Sequence, residues 1–309
     1  MTKGRAALWA TQSPFDAFLD FIAPGADRFE VLLRRVRSLG LNSVVLSIRD
    51  DRHFFVFPPG VDLSLPPGGA FPFKGESPTI LTAHYDRVDG SPGANDNSAA
   101  VFILLKAALR MAESQDSPKW MIIFTDSEEL RTGQGICEQG AYSLALKLRR
   151  LGLGAARVFN FDACGTGETF VVSSTADYLF QKTPERAMSA KGRRMKALRE
   201  KVFQTARALG TSHVLSAPTP FSDDAGFLQG GIPSQTITML PSSEAAPFAS
   251  LLRNRPAIAD AIIFGSASAR RFFPETWRRI NGPEDTLPRL TPENFDRIAR
   301  FAVELCKGQ

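Results

Sequence analysis

The sequence predicts an α/β protein in which helices cover both faces of a mixed, mostly parallel central sheet, giving three layers. Two observations support this prediction. Four short apolar runs have the length and composition of buried strands, and segments with the apolar spacing of helices lie between them. Strands that alternate with helices need crossover connections, and these connections place helices on both faces of a parallel sheet.

The four apolar runs are the predicted strands at the centre of the sheet. In chain order they are Ile80–Ala83, Met121–Thr125, Val158–Phe161 and Ser234–Met239. Two earlier runs, Ser43–Ile48 and His53–Phe57, flank a short polar segment. This arrangement predicts a hairpin that adds an antiparallel edge to the sheet.

Helices are predicted wherever apolar residues recur with helical spacing. The segment Ser98–Met111 is apolar almost all round, so we expect it to lie buried against the sheet, with Asp96, Asn97 and Ser98 as its cap. Three further helices are expected over Ala141–Leu151, Arg193–Ala208 and Thr291–Leu305. The last begins with threonine, proline and glutamate, which is typical of a helix start.

Domain organisation is predicted from the absence of repeats and low-complexity tracts. We expect one domain over residues 1–309, because a chain with 43% hydrophobic residues can form a large core. Residues 240–276 are rich in Pro, Ser and Ala, with short helical pieces. We interpret them as an insertion after the last strand.

Composition narrows the function classes. The three cysteines have no CxxC spacing, which argues against a disulfide framework or a thiolate zinc site. The net charge is +5, but its basic clusters fall in helical segments, so we interpret them as solvated faces and expect no nucleic-acid partner. With no membrane-spanning apolar run and no secretory signal pattern, we expect a cytoplasmic protein without a membrane partner. The oligomeric state stays open.

Three consecutive predicted strands are followed by residue types that bind metal ions. In chain order these residues are His84 and Asp86, then Asp126, Glu128 and Glu129, then Asp162. Asp96 lies at the start of the buried helix. Ligands in open α/β sheets bind beyond the carboxyl ends of the strands, so these side chains should meet on one rim. Because crowded carboxylates are costly without cations, the pattern predicts a metal site. Imidazole and carboxylate ligands suit zinc, with manganese or cobalt as alternatives.

The order of these motifs resembles the di-zinc exopeptidases of peptidase family M28, whose relatives include aminopeptidases and glutaminyl cyclases. The matching motifs are His-x-Asp at 84–86, Gly-x-x-Asp-Asn at 93–97, Glu-Glu at 128–129, Asp162, Asp-x-x-x-Phe at 223–227 and Asp-Thr at 285–286. The resemblance extends over roughly Val31–Leu305. It implies a sheet of the zinc-exopeptidase type and a metal-activated water that cleaves N-terminal residues.

Metal ligands follow from the resemblance residue by residue. It implies that His84, Asp96 and Asp162 hold one zinc ion, and that Asp96 bridges to a second ion that Glu129 also binds. The total would be one or two ions. The substrate would be a peptide or an aminoacyl small molecule.

Two catalytic roles are also implied by the resemblance. Asp86 would orient the His84 imidazole from behind. Glu128 would be the general base, which takes a proton from the attacking water and delivers it to the leaving amine. The family pattern further implies a cis peptide between Asp96 and Asn97.

Two positions depart from the family pattern. Asn281 occupies the place of a late histidine that completes the second zinc site, and Asp224 replaces the histidine of a Ser-Asp-His triplet. An amide oxygen is a harder and weaker zinc ligand than imidazole, so we expect Asn281 to leave the second metal position weakened. His213 is the only other histidine near this part of the sequence that could substitute.

Three functions remain compatible with the sequence. The first is a metal-dependent exopeptidase that acts on the amino end of peptides. The second is a glutaminyl cyclase-like enzyme that uses a single metal, and the third is a binding protein that kept the fold without turnover. Other catalytic frameworks are disfavoured, because the chain contains no Gly-x-Ser-x-Gly elbow, phosphate-binding loop or complete dinucleotide fingerprint.

Overall fold

A computed structural model describes residues 13–63, 71–114, 119–181, 189–263 and 267–307. Eight strands within these ranges form one sheet. They are Asn42–Ile48 (β1), Asp51–Phe57 (β2), Thr79–His84 (β3), Trp120–Thr125 (β4), Arg157–Phe161 (β5), Thr169–Ser173 (β6), Val214–Ala217 (β7) and Ser234–Leu240 (β8).

Eleven α-helices are found within the same ranges. They are Pro14–Ile22 (α1), Arg28–Ser38 (α2), Ala100–Glu113 (α3), Gly140–Arg150 (α4), Thr175–Gln181 (α5), Ala190–Ala208 (α6), Asp223–Gln229 (α7), Ser242–Asn254 (α8), Pro256–Ile263 (α9), Glu275–Arg279 (α10) and Asn294–Cys306 (α11). Of the helices in this part of the chain, none combines the length and apolar character needed to cross a bilayer.

The strand order is β1-β2-β4-β3-β5-β8-β6-β7. The four central strands β4, β3, β5 and β8 are parallel to one another. Strand β2 runs antiparallel to β1 and β4, and β6 runs antiparallel to β8. The predicted mixed, mostly parallel sheet is confirmed, and so is the hairpin at its edge.

Side chains of the central strands alternate between two apolar cores. Along β4, Ile122 and Phe124 belong to one core, while Met121 and Ile123 belong to the other. The first core is covered by α1, α2, α3, α6 and α11, and the second by α4 and α7. Because each strand is apolar on both faces, it must be covered on both faces, which gives the predicted three layers.

Two helix starts that were predicted from capping residues are wrong. Helix α3 has no side-chain cap: it follows an irregular helical turn over Ala94–Ala99, in which Asp96 points to His84 instead of a helix end. Helix α11 begins at Asn294, three residues later than predicted. The hydroxyl of Thr291 accepts a hydrogen bond from the Gly167 backbone N–H at 2.9 Å, so it binds another loop and does not cap this helix.

Residues 240–276 are largely helical where the structure describes them. Helices α8, α9 and α10 and a 3-10 turn over Ala267–Phe272 follow β8. They share a third apolar cluster, in which the Phe248 and Trp277 rings meet edge to face at 5.2 Å. The interpretation of this segment as an insertion within one domain stays a prediction.

Gly140, the first residue of α4, lies against the loop that follows β4. A Cβ added there would be 1.9 Å from the Asp126 carbonyl oxygen. We expect Gly140→Ala to lower the free energy of unfolding by at least about 1–3 kcal/mol, because backbone must move to admit the methyl group. Chemical denaturation measures the change. Gly135→Ala is the matched control, since its Cβ would meet nothing within 4 Å. Equal stability of the two variants would contradict this packing.

Candidate metal centre

Strand β3 lies between β4 and β5, so the residues that follow these three strands meet at one rim of the sheet. His84 ends β3 and is fully buried. Its Nε2 lies 3.0 Å from Asp96 Oδ1 and 3.9 Å from Asp162 Oδ1. Two ligands of one tetrahedral zinc ion, each about 2.0–2.1 Å from it, lie about 3.3 Å apart. The three side chains therefore have the spacing of a shared ligand set.

A second group of potential ligands shares His84 with the first. Ligand atoms of His84, Glu128 and Glu129 lie within 4.8 Å of one another, as do those of His84, Asp96 and Asp162. The two groups together contain every charged ligand expected from the sequence. The structure thus brings the strand-end residues to one place, separated by up to 78 positions in the chain.

Several buried atoms of this cluster make no hydrogen bond of good geometry, although some of them lie close to one another. They include His84 Nε2, Asp96 Oδ1 and Glu129 Oε1. Burying an unpaired polar or charged atom is costly, so such atoms are rare in folded proteins unless an ion or water satisfies them. An imidazole nitrogen and two carboxylate oxygens are donors that zinc accepts. The residues present therefore fit a divalent cation.

Protonation of the acidic residues reflects the same crowding. Burial and the charge of Asp96 raise the pKa of Glu129 to about 9 and that of Asp162 to about 6. Burial, together with the charge of Glu129, raises the pKa of Glu128 well above its usual value. Burial alone lowers the pKa of His84, but contacts with Asp86 and Asp96 raise it well above its usual value overall. Negative charge is therefore in excess at this rim.

Asp86 connects the imidazole to both glutamates. Its Oδ1 lies 3.4 Å from His84 Nδ1, on the side of the ring opposite the other carboxylates. The same carboxylate accepts hydrogen bonds from the backbone N–H of Glu128 at 3.2 Å and of Glu129 at 3.0 Å. Burial raises the pKa of Asp86, but the contacts with His84 and these N–H groups lower it overall. Asp86 is thus in contact with His84 and with the backbone that carries both glutamates, and its role in orienting the imidazole stays a prediction.

Glu128 is positioned by backbone conformation and by one glutamine. Ser127, the residue before it, has a left-handed φ of 57°, and Ala163, the residue after Asp162, has a φ of 48°. Such conformations are unfavourable for side chains larger than glycine and cluster at functional sites. Gln139 Nε2 donates to Glu128 Oε1 at 3.2 Å, and Gln139 Oε1 accepts from the Gly226 backbone at 3.0 Å.

The loop that carries Asp96 is held from two sides. The Asp285 carboxylate accepts hydrogen bonds from the backbone N–H of Asn95 at 2.7 Å and of Asp96 at 3.0 Å. The Asn97 side chain donates to the Phe161 carbonyl at 2.9 Å, next to Asp162. The peptide between Asp96 and Asn97 is cis, as the resemblance implies. These contacts fix Asp96 relative to the end of β5.

Arg28 is a positioning residue that sequence reasoning missed. It is 5% exposed, and its guanidinium donates to the carbonyl oxygens of Tyr85 and Asp86 at 3.0 and 2.9 Å. It also donates to the carbonyl oxygen of Gly93 at 3.0 Å and to the hydroxyl of Ser98 at 2.5 Å. Burial is the main cause that lowers the Arg28 pKa to about 9. One cation thus ties together the segments that carry His84, Asp86 and Asp96.

Two residues depart from the family pattern, and a third, His213, is a candidate substitute ligand. The structure places the three residues apart from one another. Asn281 has a left-handed φ of 61° and lines the cleft beside the cluster. Asp224 is buried, and its carboxylate accepts a hydrogen bond from the Ser222 backbone at 3.0 Å. Burial raises the pKa of Asp224 to about 6. His213 is exposed just before β7, three strands from β5, so it is not brought to the cluster.

The cleft in front of the cluster has a volume of about 470 Å³. Asp96, Glu128, Glu129 and Asp162 line one part of it. Residues from α10 and from the 3-10 turn over Ala267–Phe272 line another part. Its volume falls within the ordinary range of small-ligand sites, roughly 300–1,000 Å³.

We expect Arg28→Met to lower the free energy of unfolding by roughly 3 kcal/mol, because several buried acceptors lose a charged donor. We also expect the folded variant to bind zinc more weakly, since His84 and Asp96 lose their common support. Denaturation and calorimetric zinc titration measure the two effects. Arg34→Met changes an exposed arginine of the same helix and is the control. Unchanged zinc affinity in folded Arg28→Met would contradict the positioning role.

Solved structures with the same fold include hydrolases and a cyclase. BSAP, a zinc aminopeptidase from Bacillus subtilis, has 19% identity and a TM-score of 0.53, over 82% of this chain and 48% of that one. The LapA aminopeptidase of Legionella pneumophila has 14% identity and a TM-score of 0.62, over 98% of this chain and 70% of that one. A glutaminyl cyclase from Porphyromonas gingivalis has 16% identity and a TM-score of 0.59, over 95% of this chain and 97% of that one. The chain spans about half the length of the Bacillus enzyme.

Sequence comparison gives a family but no individual relative. No curated protein matches the chain significantly. The family model described as Peptidase family M28 matches residues 69–306, which is most of the chain. The match includes every residue expected to bind metal, and the fold agrees with it. The chain therefore belongs to peptidase family M28.

Proposed function

We propose that the protein is a metal-dependent exopeptidase that removes N-terminal residues from peptides. The observation that carries this proposal is the convergence of His84, Asp96 and Asp162, with unpaired buried ligand atoms, beside Glu128. Family membership supports hydrolysis as the reaction. A binding protein without turnover would have no need of a half-buried glutamate next to this cluster.

Zinc is the proposed metal, with manganese or cobalt as alternatives. His84, Asp96 and Asp162 would hold the first ion, while Asp96, Glu129 and Asn281 would hold a second, weaker one. A divalent ion at this place supplies Lewis-acid polarisation of the scissile carbonyl and lowers the pKa of a water molecule. Asn281 offers only a neutral amide oxygen, which is the reason to propose unequal affinities.

Glu128 is the proposed general base. Its carboxylate accepts a proton from the attacking water and then donates that proton to the nitrogen of the leaving amine. Gln139 Nε2 donates a hydrogen bond to one carboxylate oxygen of Glu128, and Glu128 lines the cleft. Asp86 contacts His84 and the backbone N–H groups of Glu128 and Glu129. It thereby holds the proposed metal ligand His84 and the proposed base Glu128 in fixed positions relative to each other.

A second candidate is glutaminyl cyclase-like chemistry on one metal. The likeness to the Porphyromonas gingivalis cyclase, which extends over nearly the whole of both chains, favours it. The weakened second position is compatible with it. Elemental analysis of protein purified without chelator, with assays on aminoacyl anilides and on N-terminal glutaminyl peptides, separates the candidates. Metal with anilide cleavage supports the exopeptidase, metal with cyclisation alone supports the cyclase, and neither contradicts both.

We expect Glu128→Gln to reduce kcat by about 10²–10⁴-fold, because the amide cannot accept the proton from water. Zinc bound by His84, Asp96 and Asp162 should remain. Steady-state kinetics and metal analysis of the same preparation measure both quantities. The control is Glu113→Gln, an exposed glutamate at the end of α3. Full activity in Glu128→Gln would rule out its role as the base.

We expect Asn281→His to strengthen the second metal position by about tenfold or more, since imidazole is a better zinc ligand than an amide oxygen. Calorimetric titration with zinc resolves the weaker of two binding events. Asn254→His, at the end of α8, introduces the same side chain outside the cleft and is the control. An unchanged second event would show that residue 281 does not contact that ion.

A further inference from the structure

We propose that Arg270 binds a carboxylate group of the substrate, so that the cleft selects peptides that carry a negative charge near the scissile bond. This inference rests on the proposed exopeptidase function and specifies its substrate class. Arg270 lies in the 3-10 turn over Ala267–Phe272, within the segment that follows β8. Among the described residues that line the cleft, it is the only cationic side chain.

The guanidinium of Arg270 is anchored on one side only. Its Nη2 donates to the carbonyl oxygen of Arg278 at 3.0 Å. No carboxylate in the described part of the chain lies within ion-pair distance of it. Arginine has five N–H donors in a planar fork that matches a carboxylate. The anchored side sets the direction of the fork, and the remaining donors are available to a ligand.

The surface around Arg270 is fixed by apolar packing and by a glutamate. Phe273 and Trp277 line the same cleft, with ring centroids 6.4 Å apart. The Glu244 carboxylate accepts hydrogen bonds from the backbone N–H of Thr276 at 2.9 Å and from its hydroxyl at 3.1 Å. Arg270 itself is exposed, and these contacts fix the wall of the cleft beside it.

The cleft has charges of both signs. The acidic cluster lines it, and so does Arg270, which belongs to the segment after β8. A short peptide has a cationic amine and an anionic carboxylate, so a cleft with charges of both signs favours one orientation of it. The carboxylate could be the terminal carboxylate of a dipeptide or the side chain of an acidic residue. Both present the same chemistry to Arg270.

Kinetics on matched substrates test this inference. The zinc-loaded protein is assayed with leucyl-alanine, leucyl-alanine amide, leucyl anilide and aspartyl anilide. We expect the wild type to prefer leucyl-alanine over its amide, and Arg270→Met to reduce that ratio of kcat/KM by roughly 10–100-fold, mainly through KM. Arg270→Lys should retain part of the ratio, because a charge remains without the planar fork.

Arg271→Met is the matched control. Arg271 is the next residue, its guanidinium lies 4.7 Å from the centre of the Phe272 ring, and it does not line the cleft. It should leave the substrate preference unchanged. If Arg270→Met instead reduces the preference for aspartyl over leucyl anilide, the side-chain carboxylate is the group recognised. Equal effects of Arg270→Met on charged and neutral substrates would overturn the inference.

Binding measurements keep the inference separate from the proposed function. If the wild type cleaves leucyl anilide but shows no preference for a carboxylate, the inference fails and the exopeptidase function stands. If no substrate is turned over, calorimetric titration with leucyl-alanine and its amide replaces kinetics. Weaker binding of leucyl-alanine to Arg270→Met by about tenfold supports the inference, and equal binding overturns it.

Discussion

Electrostatic repulsion among carboxylates at the rim of the sheet is the main constraint on the structure of this site. Asp96, Glu128, Glu129 and Asp162 lie around one buried imidazole, and several of their atoms have no partner. Burial and the charges of neighbouring carboxylates raise the pKa values of Glu128, Glu129 and Asp162, as expected where negative charge is in excess. A divalent cation bound here would neutralise that excess and satisfy the unpaired atoms, and its binding would then be coupled to the folding of this rim.

Around this rim, the fold uses a small number of polar contacts to fix the ligands. Arg28 and Asp285 act through backbone carbonyl and N–H groups, and Asp86 acts through the imidazole and the two glutamates. None of the three needs to touch a substrate. Each of these three residues joins segments that are distant in sequence, so each relates the position of one loop to that of another.

Much of the fold and the position of the candidate ligands at the strand ends could be predicted from the sequence, because both follow local patterns. Apolar runs mark β3, β4 and β5, and the residues after them are the candidate ligands. The short strands β6 and β7 were not predicted. Arg28 was missed because most of its partners at the rim are backbone groups 57 or more positions away, and no local pattern reveals them. The start of α3 was predicted wrongly because Asp96 is directed to His84 and not to the helix end.

Metal binding at the rim of the sheet is tested most directly by anomalous X-ray diffraction at the zinc absorption edge, with crystals of the zinc-loaded protein. We expect a strong peak about 2.0–2.2 Å from His84 Nε2 and from carboxylate oxygens of Asp96 and Asp162. A weaker peak should lie near Glu129. Strong anomalous density only at other places, or no density at the rim in saturating zinc, would contradict the claim that this cluster is a metal centre.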